Sequence, residues 1–204
     1  MLRFRDETAR PAIAIFFASG VLALEEKLGP FPWQFPPSYS FEPDRLNRFL
    51  ALLPRDTREA AALASQHDAR VKQPWFDIKR QHRLRHAIEI RHPSFASPDF
   101  IKTLREHRVA IVVSDSVAGR PYAEDLTADF MYMRLHGNEK LYGGAYTDEG
   151  LDHWANRIRI WSTGCVPSDS KLFSRARARP RKTRDVFCYF DNDQKVRRHL
   201  MPDD

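Results

Sequence analysis

Cysteine is nearly missing from this chain: Cys165 and Cys188 are the only two among 204 residues. Their separation fits no metal-ligand spacing, which excludes a zinc ribbon and a disulfide-stapled secreted scaffold. Long hydrophobic runs are missing too. None approaches the roughly 20 residues that span a bilayer. Ile13–Leu24 is apolar but runs into Glu25, Glu26 and Lys27, the mark of a buried helix. The opening Met1-Leu-Arg-Phe-Arg5 lacks the apolar segment and small-residue cleavage site of an export signal. The expectation is a cytoplasmic protein without membrane contact. Glycine is scarce, at 8 residues, and none falls in a Gly-x-Gly-x-x-Gly, Walker or Gly-x-Ser-x-Gly arrangement. Nucleotide cofactors are not indicated, and the cofactor is otherwise unknown.

Positive charge is abundant but local. Of 33 basic side chains, seven (Lys171, Arg175, Arg177, Arg179, Arg181, Lys182 and Arg184) lie in one stretch without an acid, leaving 26 against 27 acidic elsewhere. The body of the chain is close to neutral. The high isoelectric point therefore says little about a nucleic-acid-binding fold. Residues 165–184 read as a basic loop insertion, disordered at the surface, with phosphate-backbone contact through Lys171–Arg184 as the alternative. One aromatic, Phe173, offers thin support for base stacking.

Between these features the chain alternates between two periods. Ile13–Leu28 reads as a helix stopped by Gly29-Pro30, followed by a short strand at Phe31–Phe35. Pro43–Leu53 and Thr57–Val71 carry helical stripes, and Lys72–Arg85 reads as a loop. Strands follow at Ala87–Arg91, Val109–Ser114, Asp129–His136 and Asp185–Asp193, with helices at Pro98–His107 and Thr147–Trp161. Strands separated by helices imply an α/β protein with a parallel sheet, either doubly wound or a partial (β/α) barrel in a single domain, residues 1–204. The crossover between the Val109 and Asp129 strands has no evident helix.

Parity along the strands selects the candidate site. In Asp129–Gly137, Phe130, Tyr132, Arg134 and His136 share one face, while Met131, Met133 and Leu135 share the other. Glu89 and Arg91 lie opposite Ile88 and Ile90. Asp115 is in phase with Val113, and Tyr189, Asp191 and Asp193 are in phase with one another. Gln34 is the polar residue of the first strand. Every strand thus ends in polar groups on one face, and α/β proteins keep their chemistry at that end. Glu89, His92, Asp115, His136 and Asp193 are donors able to hold a divalent cation, or members of an ion-pair network that neutralises Arg91 and Arg134. His136 is a general acid or base, or a structural histidine. Arg91 and Arg134 suit a carboxylate or phosphate. Tyr142-Gly-Gly-Ala-Tyr146 allows close backbone approach to an anion, or is a plain turn.

Several segments in combination resemble the YecE-like family (DUF72), a domain of unknown function with a TIM-barrel-type fold. They are Lys27–Pro30 leading into Trp33-Gln-Phe-Pro-Pro37, Ala87-Ile-Glu-Ile-Arg-His-Pro-Ser-Phe95, Ile111–Asp115, Phe130–Gly137, Tyr142–Tyr146 and Val186–Asp193. The resemblance covers about Phe17 to Val196. It implies that Phe31–Phe35 is the fourth strand of eight and Asp185–Asp193 the last. The chain is then expected to be a barrel lacking its first three strands, with two open sheet edges that favour self-association. The resemblance implies a fold and no reaction. The expected site comprises His136, Glu89 and Asp115 as catalytic groups, with Gln34, Arg91, Arg134, Tyr142, Tyr146, Asn192 and Asp193 around a small anionic or phosphorylated substrate. A non-catalytic binding protein or inactive fragment, or a nucleic-acid-associated protein, is the alternative.

Overall fold

A computed structural model describes residues 6–115, 120–137 and 146–191. Five strands form one parallel sheet: β1 (Phe31–Gln34), β2 (His86–Glu89), β3 (Ala110–Ser114), β4 (Phe130–Leu135) and β5 (Asp185–Phe190). Their spatial order is their chain order, β1-β2-β3-β4-β5. A doubly wound sheet reverses direction part-way, so this order decides for the arc of a (β/α) barrel. Among the described residues β1 and β5 are its edges. Pro32, which donates nothing to a ladder, sits on β1 as an edge position allows. On β5, Tyr189 and Phe190 are exposed. The sheet nevertheless curls: the Tyr189 hydroxyl lies 3.6 Å from where a Cβ on Gly29, at the entry to β1, would stand.

The two faces follow the alternation expected from sequence. Ile88, Ile90 and Ile111 pack outward under the helices α1 (Asp6–Ala18), α2 (Pro43–Leu52), α3 (Thr57–Ala64) and α4 (Pro98–His107). Val113, Met131, Met133 and Leu135 pack outward against Trp154 and Trp161 of α5 (Asp148–Ser162). Ala87, Ala110, Val112, Phe130 and Tyr132 make a separate inner cluster, with Phe187 of β5. Small side chains on β2 and β3 leave the room that the rings of β4 and β5 fill.

Three elements depart from the reading of the sequence. The helix expected over Ile13–Leu28 starts earlier and ends at Ala18. Gly20 takes a left-handed φ of 99°, Ala18 O accepts from Trp75 N at 2.8 Å, and Val21–Lys27 continues as a 3₁₀ helix. The helix expected to reach Val71 stops at Ala64, because Gln66 N and His67 N tighten onto Leu63 O and Ala64 O, both at 3.0 Å. Its start is sound: Asp56 caps it, accepting from Arg58 N at 2.8 Å and Glu59 N at 2.9 Å. The third departure is the basic segment, which is pinned rather than disordered. Buried Asp125 accepts from Phe173 N at 2.7 Å and Ser174 N at 3.2 Å. Arg105 Nη1 donates to Ala176 O at 3.1 Å, and Arg184 N to Ser162 O at 3.0 Å. Arg157, buried on α5, pairs with Glu124 at 2.8 Å and with Asp169 at 2.8 Å.

Candidate functional site

Arg134 is the hub at the C-terminal end of the sheet. Its Nη1 donates to Glu89 Oε2 and, at 3.2 Å, to Gln34 Oε1; its Nη2 donates to Asp191 Oδ2. Residues from the ends of β1, β2 and β5 thus meet on one guanidinium of β4. Glu89 is buried and also accepts from Arg91 Nη2 at 3.3 Å, while Gln34 accepts from that same nitrogen at 2.6 Å. Burial works against the charge of Arg134, but Glu89 and Asp191 outweigh it and hold the guanidinium above its ordinary pKa.

His136 extends the hub toward β3. Its Nε2 is 3.4 Å from Asp191 Oδ2, and its Nδ1 is 3.6 Å from Asp115 Oδ1 and 3.5 Å from Ser114 Oγ. Both ring nitrogens therefore face carboxylates on different strand ends. Asp115 is itself fixed: it accepts from His136 N at 2.5 Å and from the Tyr146 hydroxyl, which in turn accepts from Gly137 N at 2.9 Å. Gly137 has a φ of 80°, which turns the chain immediately after His136 and suits glycine. Burial, then the bond to Asp115, raises the pKa of Tyr146, so it is a donor at neutral pH. Beneath this layer Tyr132 stacks on Tyr189, with ring centroids 5.1 Å apart at 26°. Burial and the neighbouring Tyr189 push Tyr132 up to about 12.

Gln34, Glu89, Arg91, Asp115, Arg134, His136 and Tyr146 are thus brought together. Tyr142, Asn192 and Asp193, with Gly143 and Gly144, lie outside the described residues. Asp115 arrives by a route that parity misjudged. Val113 points to the helices, Ser114 is the inward residue of β3, and Asp115 swings in only because the strand has ended. His92 does not join the centre: its Nδ1 accepts from Ser94 N at 3.2 Å, capping the 3₁₀ turn Pro93–Phe95. Asp191 is the member of this cluster left out of the expected set. Its signal was its phase with Tyr189, and Asp191 N carries the ladder one step further onto Leu135 O at 2.7 Å. Among the described residues, no three His, Cys, Asp or Glu side chains gather closely enough to hold a metal ion.

The family described as Protein of unknown function DUF72 matches residues 2–199. The chain belongs to this family. Two solved DUF72 proteins share its fold. One, from Thermotoga maritima, is 19% identical with a TM-score of 0.52, over 84% of this chain and 54% of its own. The other, from Enterococcus faecalis, is 15% identical with a TM-score of 0.51, over 85% of this chain and 58% of its own. The chain thus spans a little over half the length of either DUF72 structure. No curated protein sequence matches it. Among the described residues, no helix is long and apolar enough to cross a membrane.

Proposed function

We propose that this DUF72 chain binds a small anionic or phosphorylated molecule at the C-terminal ends of its strands, and that His136 moves a proton there. The observation that carries the reading is the contrast between the two arginines of the site. Arg134 is closed on three partners, whereas Arg91 keeps its Nε buried without a hydrogen-bond partner. A buried orphan donor on a guanidinium is the group an anionic oxygen satisfies. With His136 neutral, two guanidiniums face the three carboxylates of Glu89, Asp115 and Asp191. An arriving anion adds to that negative charge, and His136, set between Asp115 and Asp191, is the group placed to take up the compensating proton. Arg134 then positions Glu89 and Asp191, and Asp115 and Asp191 orient the imidazole for transfer.

Titration calorimetry with succinate and with inorganic phosphate, each in two buffers of different ionisation enthalpy, tests the reading. Binding is expected with proton uptake. Arg91→Gln is expected to weaken it by about tenfold, the loss of one charge-assisted hydrogen bond. His136→Gln is expected to remove the buffer dependence. Binding of both anions with unaltered affinity and buffer dependence in Arg91→Gln and His136→Gln overturns the proposal.

A further inference from the structure

The opposite end of the sheet holds a second concentration of charge. A cleft of about 580 Å³ opens there, lined by seven arginines and by two acids, Glu106 and Asp129. The strand entries build it: Arg83 precedes β2, Arg108 precedes β3, Asp129 precedes β4 and Arg184 precedes β5. Arg177, Arg179 and Arg181 come from the pinned basic segment. Gly164, at a φ of 80°, lets that segment approach so closely that a Cβ would stand 1.9 Å from the Arg181 carbonyl oxygen. Asp129 is already engaged by Arg83, through Nη1 to Oδ2 and through Nη2 to Oδ1 at 3.3 Å.

Arg184 sets this cleft apart from a solvated basic surface. It is only 4% exposed, and its Nε and Nη1 are buried without hydrogen-bond partners. Proteins rarely leave buried charged donors unsatisfied, because a buried polar group without a partner has lost water and gained nothing. Burial, then the neighbouring Arg181, lowers the Arg184 pKa from its ordinary value, although Asp129 opposes the shift. An anion reaching Arg184 would satisfy both nitrogens and relieve the repulsion from Arg181. The volume falls in the range of small-ligand sites. Among the described residues, no aromatic side chain lines it. It therefore offers phosphate-binding groups and no platform on which a base could stack.

We propose that this cleft binds a compact polyphosphate anion, of the size of pyrophosphate or of the phosphate tail of a nucleotide, with Arg184 at its floor and Arg177, Arg179 and Arg181 at its mouth. The site lies at the strand end opposite His136 and does not depend on the function proposed above. Calorimetry of the full chain with inorganic pyrophosphate at about 0.1 M salt, where long-range attraction is screened, tests it. Binding is expected, weakened about tenfold or more by Arg184→Gln and by Arg181→Glu, each removing charged contacts, and unchanged in Arg70→Gln, a surface arginine that lines neither site. Arg181 is exposed, so Arg181→Glu keeps the test independent of folding. Absence of pyrophosphate binding, equal affinity in Arg181→Glu, or an equal loss in Arg70→Gln overturns the proposal. So does a duplex of about 20 base pairs that binds through the same arginines more tightly than pyrophosphate, with the steep salt dependence of a nucleic-acid backbone.

Discussion

The two ends of one parallel sheet treat arginine in opposite ways. At the C-terminal end Arg134 is enclosed by Glu89, Asp191 and Gln34. At the N-terminal end Arg184 is more deeply buried and leaves two of its three nitrogens unpartnered. Burial opposes the charge at both. The carboxylates win at Arg134 and raise its pKa; at Arg184 Asp129 offsets burial and Arg181 only in part, and the pKa falls. The lesson is that burial alone does not tell what a charged residue is for. A buried charge with all its partners is a framework element. A buried charge short of partners, in a cleft of like charge, is a receptor.

Removing a partner from the closed end should have the largest effect. Glu89 is 2% exposed and serves two arginines. Glu89→Ala strands both guanidiniums and is expected to cost about 3–5 kcal/mol in urea unfolding, the range for breaking a buried pair. Arg134→Met added to it should recover part of that loss, a coupling that a double-mutant cycle measures directly. A loss below about 1 kcal/mol would mean that water, and not Glu89, satisfies the site.

Acid should weaken the N-terminal end of β2. His86 faces the helices there, with Nδ1 accepting from Trp33 Nε1 at 3.1 Å and Nε2 donating to Pro54 O at 2.7 Å. The acceptor role of Nδ1 requires the neutral ring, and burial lowers the pKa from 6.5 to about 4. Above pH 6.5 the ring is neutral in folded and unfolded chains, and its contribution is complete. Below that the unfolded chain takes up a proton that the folded chain resists, so stability drains away between pH 6.5 and about 4. The loss should reach on the order of 3 kcal/mol at most. His86→Gln should flatten the slope of unfolding free energy against pH over that window; an unchanged slope would assign the acid sensitivity to other groups.

Gly164→Ala breaks the comparison from the other side, because it touches the arginine cleft alone. The left-handed φ and the backbone contact with Arg181 together should cost about 2 kcal/mol. The substitution should also abolish pyrophosphate binding while leaving the succinate response at Arg91 intact. Retention of pyrophosphate affinity would show that the segment carrying Arg177–Arg181 does not need this close approach.

Much of the C-terminal end was legible because strand parity is a local property. The alternation in Phe130–Leu135 separates Arg134 from Met133 whatever else the chain does. Asp115 and Asp191 were harder, since each lies just past its strand, where the period of two no longer applies. The lower cleft was not legible at all. The order of the basic segment depends on Asp125, about fifty residues earlier in the chain, and on Gly164 fitting against one carbonyl. From composition alone, Arg184 belongs to a solvated run. Only tertiary structure shows that it is the one arginine of that run to be buried.

The smallest predicted effect has the opposite sign. Replacing Arg184 by methionine keeps the aliphatic stem and removes a buried charge that the protein does not pair. Such replacements are neutral or stabilising when the charge lacked compensation, and a gain of about 1 kcal/mol is expected in urea unfolding. The same exchange at Arg134 should destabilise, because it leaves Glu89 and Asp191 facing each other. Two arginine-to-methionine substitutions on one sheet with opposite signs would separate framework from receptor by stability alone. A stabilised Arg184→Met chain that no longer binds pyrophosphate would be a site held at a cost to the fold. If Arg184→Met destabilises as Arg134→Met does, the guanidinium has partners in solution, and the cleft loses its reason to bind an anion.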